Sequence, residues 1–324
     1  DIKVSSFLRV GVMTDIVFAF QTVFPLLVYM LVGMLVKYFH IAEESALAQT
    51  NNLVFKIFIP MSIARNIINA ELGATNMAPV LLYAVVMVTV VFLLAWVYFA
   101  WQEPGLSRRI VVLKNAFRSN FVLFGLPLTQ MILSGRGTGV TEVLIAVVVP
   151  LFNVYAVFIL QYYGEGKMNV KSLIKGIFTN PLIVAAILSL IYKATFGTLP
   201  SFLEKPVHGM AQVATPLALI ILGARFHFQQ TVEFRNHIVL GVLTRLLVVP
   251  AVFLGLAVLL GFRGEVLVAF LAISASPVAV ASYSMAQGMG ADHRLAGQLL
   301  IYNSLLCSFS LFVFIFLLRT WAFI

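Results

Sequence analysis

The stretch Asn115-Ala-Phe-Arg-Ser-Asn-Phe-Val-Leu-Phe-Gly-Leu-Pro-Leu128 sets a cation, two amides, a hydroxyl, a glycine and a proline inside an apolar run. Its proline has a counterpart 150 residues on, in Ala272-Ile-Ser-Ala-Ser-Pro-Val-Ala-Val-Ala-Ser-Tyr-Ser284, again among small and hydrogen-bonding residues. Proline has no backbone donor and frees a carbonyl in the preceding turn. In hydrocarbon such freed groups need partners, so a break survives only where it faces protein or a wet cavity. Two such breaks, around Gly125-Leu126-Pro127 and Ser276-Pro277, predict a pair of interrupted helices flanking a site at mid-depth. Half-helix ends would there offer N–H donors to an anion. The competing reading of each proline is a plain kink.

The surrounding chain supplies the solvent for this reading. Of 324 residues, 61% are hydrophobic and 10% are charged, and the mean hydropathy is +1.03. A soluble domain carries about 25% charged residues. The apolar runs are long and unbroken, which excludes the short alternating strands of an outer-membrane barrel. With about 20 residues per span, ten helices account for the chain and leave no room for a soluble sensor or catalytic module. The spans are expected near 16–37, 47–68, 77–100, 110–133, 140–163, 173–195, 207–228, 237–261, 265–288 and 295–322. The net charge of +9 would suggest nucleic acid in a soluble chain. Here it reads as loop charge on the cytoplasmic side. Loops after odd-numbered spans hold ten Lys and Arg, Lys114 among them, against seven on the other side, which puts both termini outside.

A repeat divides the chain. Pro25 and Pro181 lie 156 residues apart, as do Pro60 and Pro216, while Pro127 and Pro277 lie 150 apart, as do Asn153 and Asn303. These offsets fit a duplicated five-helix unit whose halves insert with opposite orientation, a pattern of secondary transporters. The expected divisions are a tail at 1–12 ahead of Met13, added or disordered; a first repeat at 13–163; a cytoplasmic linker at 164–172; and a second repeat at 173–324.

Charges inside the spans narrow the chemistry. Lys56, Arg118 and Arg245 fall within apolar segments, and every acidic residue, Glu142 included, falls in a loop or at a span end. An uncompensated cation at the bilayer centre costs at least roughly 2.5–3.5 kcal/mol, and water plus a bound anionic substrate would compensate it. Arg118, with Ser119 and Asn120 beside it, suits a carboxylate through its guanidinium fork. Snorkelling or pairing with freed carbonyls is the competing reading, and it is the better one for Arg245. Asn153 and Asn303 sit mid-span, where an unsatisfied amide is costly; they read as substrate contacts or as interhelical glue. Ser62, Ser276, Gln130, Tyr283 and Tyr302 are weaker candidates. The single cysteine, Cys307, builds no disulfide or metal cluster. The sequence has no paired histidines on a helix face, no Gly-rich phosphate loop and no nucleophile elbow, so it does not read as an enzyme.

Taken in order, these segments resemble the auxin efflux carrier family, which holds plant auxin carriers and bacterial malate and malonate permeases. The resemblance rests on Phe24-Pro25 with Gly33, Asn51 to Pro60, Asn120 with Gly125-Leu126-Pro127, Asn180-Pro181, Thr215-Pro216-Leu217-Ala218 with Gly223, and Ser276-Pro277 followed by Tyr283 and Ala286. It implies ten helices as a five-plus-five inverted repeat, with helices 4 and 9 broken and crossing beside the substrate. It implies a scaffold of helices 1, 2, 6 and 7, a moving unit of helices 3–5 and 8–10, and a homodimer. Asn153 would line the pocket. Lacking the long loop of plant carriers, the chain looks like a compact bacterial member of the inner membrane.

The expected function is a secondary carrier of small organic anions, dicarboxylates or an auxin-like carboxylate, without a cofactor. Sodium or proton coupling is open. Arg118, Ser119, Asn120, Asn153, Ser276, Asn303, Lys56 and Ser62 are the expected substrate residues, and Gly125, Pro127 and Pro277 the expected crossover. The alternatives are a sodium-coupled carrier of the bile-acid type and a membrane sensor that binds without transporting.

Overall fold

The computed structural model describes residues 2–69, 76–103, 105–134, 139–163, 179, 181–224, 233–279, 282–283, 286 and 291–324. Within them the chain is helical: α1 (Ile2–Tyr38), α2 (Glu44–Leu53), α3 (Ile59–Asn69), α4 (Met77–Gln102), α5 (Leu106–Phe117), α6 (Leu126–Ile132), α7 (Gly139–Tyr163), α8 (Pro181–Phe196), α9 (Ser201–Ala224), α10 (Arg235–Leu243), α11 (Val249–Leu259), α12 (Gly264–Ala275) and α13 (His293–Thr320). Six of the described helical runs are long and apolar enough to cross a membrane, and three shorter apolar ones accompany them. The expected linker at 164–172 lies outside the described residues, as do the start of the sixth span and 225–228 at the end of the seventh.

Among the described residues there are three π turns: Val54–Phe58 joins α2 to α3, Thr244–Val248 joins α10 to α11, and Phe121–Gly125 leads into α6. Each ends two residues before a proline: Pro60, Pro127 and Pro250. The proline removes the amide that would bond four residues back, and its ring crowds that carbonyl. The amide just ahead of the proline reaches back five residues instead, Ile59 to Val54, Leu126 to Phe121 and Val249 to Thr244. Each turn thereby takes in one extra residue.

One group of helices packs through small residues. α9 lies against α1 and α3, and α3 lies against α8. A Cβ added at Gly223 would overlap the Met30 carbonyl, and one at Gly33 would overlap the Ile220 carbonyl. The α1 and α9 backbones touch, which only glycine on both sides permits. In the other group α4 packs on α5, α7 and α11, α12 on α11, and α13 on α5 and α10. Tyr83 of α4 ties this group together: its hydroxyl donates to the Phe253 carbonyl, and its ring meets Phe253, Phe262 and Phe270.

The helix α1 begins at Ile2, and its apolar run Thr14–Tyr38 takes in the first expected span. The helix α5, expected from 110, starts at Leu106, so Lys114, counted as a loop charge, is eight residues in and 1% exposed, which corrects that count. Glu142 lies in the first turn of α7, at a span end as expected; it is 0% exposed and accepts a 2.6 Å hydrogen bond from the Asn66 amide of α3.

Candidate functional site

The helix α5 ends at Phe117, and the chain turns extended at Arg118 (φ −89°, ψ 94°) before helical geometry resumes at Phe121. The helix α12 ends at Ala275, and Ser276 is extended (φ −63°, ψ 147°), the conformation favoured ahead of Pro277. These two extended segments pair. The Asn120 N–H donates to the Pro277 carbonyl at 2.7 Å, and the Ala279 N–H donates to the Arg118 carbonyl at 3.1 Å. Ser119 and Val278 thus form an antiparallel bridge, and each break supplies partners for the polar backbone the other exposes. Gly125 lets the next turn approach α12: a Cβ there would sit 3.0 Å from both the Ala272 carbonyl oxygen and Ser276 Oγ.

Both first half-helices present their C-termini to this crossing, the negative ends of their dipoles. Three buried cations answer them: Lys114 in the last turn of α5, Arg118 at its cap, and Arg245 in the π turn between α10 and α11. Arg245 donates to three carbonyls, Nε to Ser276 at 2.9 Å, Nη1 to Ala116 at 3.0 Å and Nη2 to Ile273 at 2.9 Å. One planar fork therefore holds the ends of α5 and α12 together, carbonyls that a helix terminus leaves without internal partners. For Arg245, paired carbonyls rather than an anion provide the compensation.

Arg118 is 8% exposed, and its Nη2 donates to Asn153 Oδ1 of α7 at 2.9 Å. Beside it Ser119 Oγ and Asn120 Nδ2 are buried with no hydrogen-bond partner among the described residues. The structure thus brings four of the expected residues, Arg118, Ser119, Asn120 and Asn153, to one place, with Gly125, Pro127 and Pro277 around them.

The other four are placed differently. Ser276 lies at the crossing, but its hydroxyl donates to the Ala272 carbonyl at 2.6 Å. The Asn303 amide donates to Asn115 Oδ1 and to the Leu299 carbonyl, while Asn115 donates to the Gly241 carbonyl, a chain that ties α13 to α5 and α10. Ser62 accepts from Gln130 Nε2, whose Oε1 accepts from Thr215, so it joins α3, α6 and α9. Lys56 lies on the exposed face of its π turn. No group of three or more metal-ligating side chains occurs among the described residues.

Sequence reasoning missed Lys114 as a buried residue. The signal was present: Pro104-Gly105 reads as a helix start, which puts Lys114 more than two turns into the apolar segment.

A family model described as membrane transport protein matches residues 18–315. No curated protein matches the chain.

Proposed function

The chain belongs to the membrane transport protein family, the auxin efflux carriers; it is an integral, multi-pass membrane transporter, and on the crossing described above we propose that it is a secondary carrier of small organic anions. The substrates would be dicarboxylates such as malate or malonate, or a compact aromatic monocarboxylate. Ten spans in two inverted halves would carry them by alternating access.

One observation carries the reading: a buried guanidinium lies at the junction of two broken helices, beside a hydroxyl and an amide left without partners among the described residues. An Arg fork binds a carboxylate with two parallel charge-assisted bonds. The first amides of the segment that resumes at Phe121 add donors that a helix start leaves unused. Ser119 and Asn120 complete the ring of donors, and Asn153 orients the guanidinium. Gln130 of the second half-helix is bonded to Ser62 and Thr215, so movement of the crossing past α3 and α9 would break and remake those bonds.

Uptake of labelled malate, malonate and indole-3-acetate into proteoliposomes tests this. At least one should enter saturably, and Arg118→Gln should abolish entry. Saturable binding without flux would make the protein a sensor, and a strict sodium requirement would favour the sodium-coupled alternative.

A further inference from the structure

Lys114, in the last turn of α5 and four residues before Arg118, is 1% exposed, and its Nζ has no hydrogen-bond partner among the described residues. A buried ammonium with three unused donors is costly unless something accepts from it. It lines a cavity of about 10 Å³ together with Asn115, Val278, Ser282 and Leu299. Ser282 Oγ is also buried and without a partner among the described residues. Two of the lining residues are held in place: Asn115 by Asn303 and Gly241, and Val278 by its bridge to Ser119. The cavity therefore adjoins the crossing on the side facing α13, whereas Arg118 reaches toward α7.

We propose that Lys114 and Ser282 form a second anion subsite, which takes one compact monoanionic group. A space of this size admits one water-sized occupant, which means a halide or a single carboxylate oxygen rather than a whole organic acid. The second source, the far carboxylate of a dicarboxylate held at Arg118, rests on the function proposed above; the halide does not. On this arrangement Lys114 reads the number of charges on the substrate and Arg118 reads the carboxylate itself.

The test uses the full chain in nanodiscs in halide-free methanesulfonate buffer, with thermal unfolding and tryptophan fluorescence as readouts. Chloride is titrated alone, and malonate is compared with acetate. The wild type should show saturable stabilisation by chloride and bind malonate about tenfold or more tightly than acetate, the worth of one charge-assisted hydrogen bond. Lys114→Met should lose the chloride response and bring the malonate-to-acetate ratio close to one, with acetate affinity kept within about twofold. Arg118→Gln should lose both acids and keep the chloride response. A Lys114-dependent chloride response in a protein that binds no organic acid would support the subsite and overturn the proposed substrate. A Lys114-dependent malonate preference without a chloride response would support the carboxylate as the occupant. Should Lys114→Met not fold, Ser282→Ala, which removes only a hydroxyl, should weaken either response at least threefold. A chloride response and an acid preference both absent, or both unchanged in the variants, would overturn the proposal.

Discussion

Arg245→Met removes a planar fork and leaves a side chain of similar length. Three carbonyls lose their donor: Ala116 at the end of α5, Ile273 in the last turn of α12, and Ser276 at the break. Each buried carbonyl left unsatisfied costs about 1–3 kcal/mol. Arg245 is 1% exposed, so water does not readily replace it. Allowing for relaxation of the two helix ends, the expected loss is roughly 3–5 kcal/mol, within the range for breaking a buried charged network. At about 2 °C per kcal/mol for a chain of this size, the midpoint should fall by about 6–10 °C. Arg245→Lys keeps the charge but offers no flat array of donors to three carbonyls, so it should recover less than half of the loss. Thermal unfolding of the three purified proteins in one detergent measures this. A midpoint for Arg245→Met within about 2 °C of the wild type, well short of the expected fall, would refute the claim that this residue clips the half-helices together.

Other expectations concern packing at the crossing and around it. Gly125→Ala drives a methyl to 3.0 Å from the Ala272 carbonyl oxygen and Ser276 Oγ; overpacking of about 1–3 kcal/mol should lower the unfolding midpoint and the flux together. Gly223→Ala cannot be seated without separating α9 from the Met30 carbonyl of α1, so it should yield little folded protein in size-exclusion profiles. Gln130→Leu leaves Ser62 and Thr215 without their shared partner and should lower stability by roughly 1–2 kcal/mol while changing the uptake rate. An unchanged rate would show that these bonds do not straddle a moving boundary.

The breaks were legible because proline, small residues and hydrogen-bonding side chains are costly together inside an apolar run unless the helix is interrupted there. Arg118 and Asn153 were legible as a pair in need of partners, because polar groups at mid-span are costly alone, and they bond to each other. Which face a residue occupies was harder to read. Lys56 and Arg118 look alike in sequence, both deep in apolar runs, yet one is exposed and the other buried. A helix apolar on all sides carries no stripe to orient it, so tertiary packing alone decides the face. Lys114 was hidden by a four-residue error in one helix start, about one turn of 1.5 Å steps. Glu142 falls at a span end, as its place in the sequence indicates, but which partner it meets there, Asn66 of α3, was not readable because that contact spans 76 residues. Ser276 and Asn303 were read as substrate contacts or glue; the structure commits the Ser276 hydroxyl to the Ala272 carbonyl and the Asn303 amide to Asn115 and Leu299.

A density map of the protein frozen with saturating malonate tests the central claim most directly. The account predicts density bonded to the Arg118 guanidinium and the Asn120 amide, at the bridge between Ser119 and Val278. An empty crossing, with ligand density elsewhere on the protein, would contradict it.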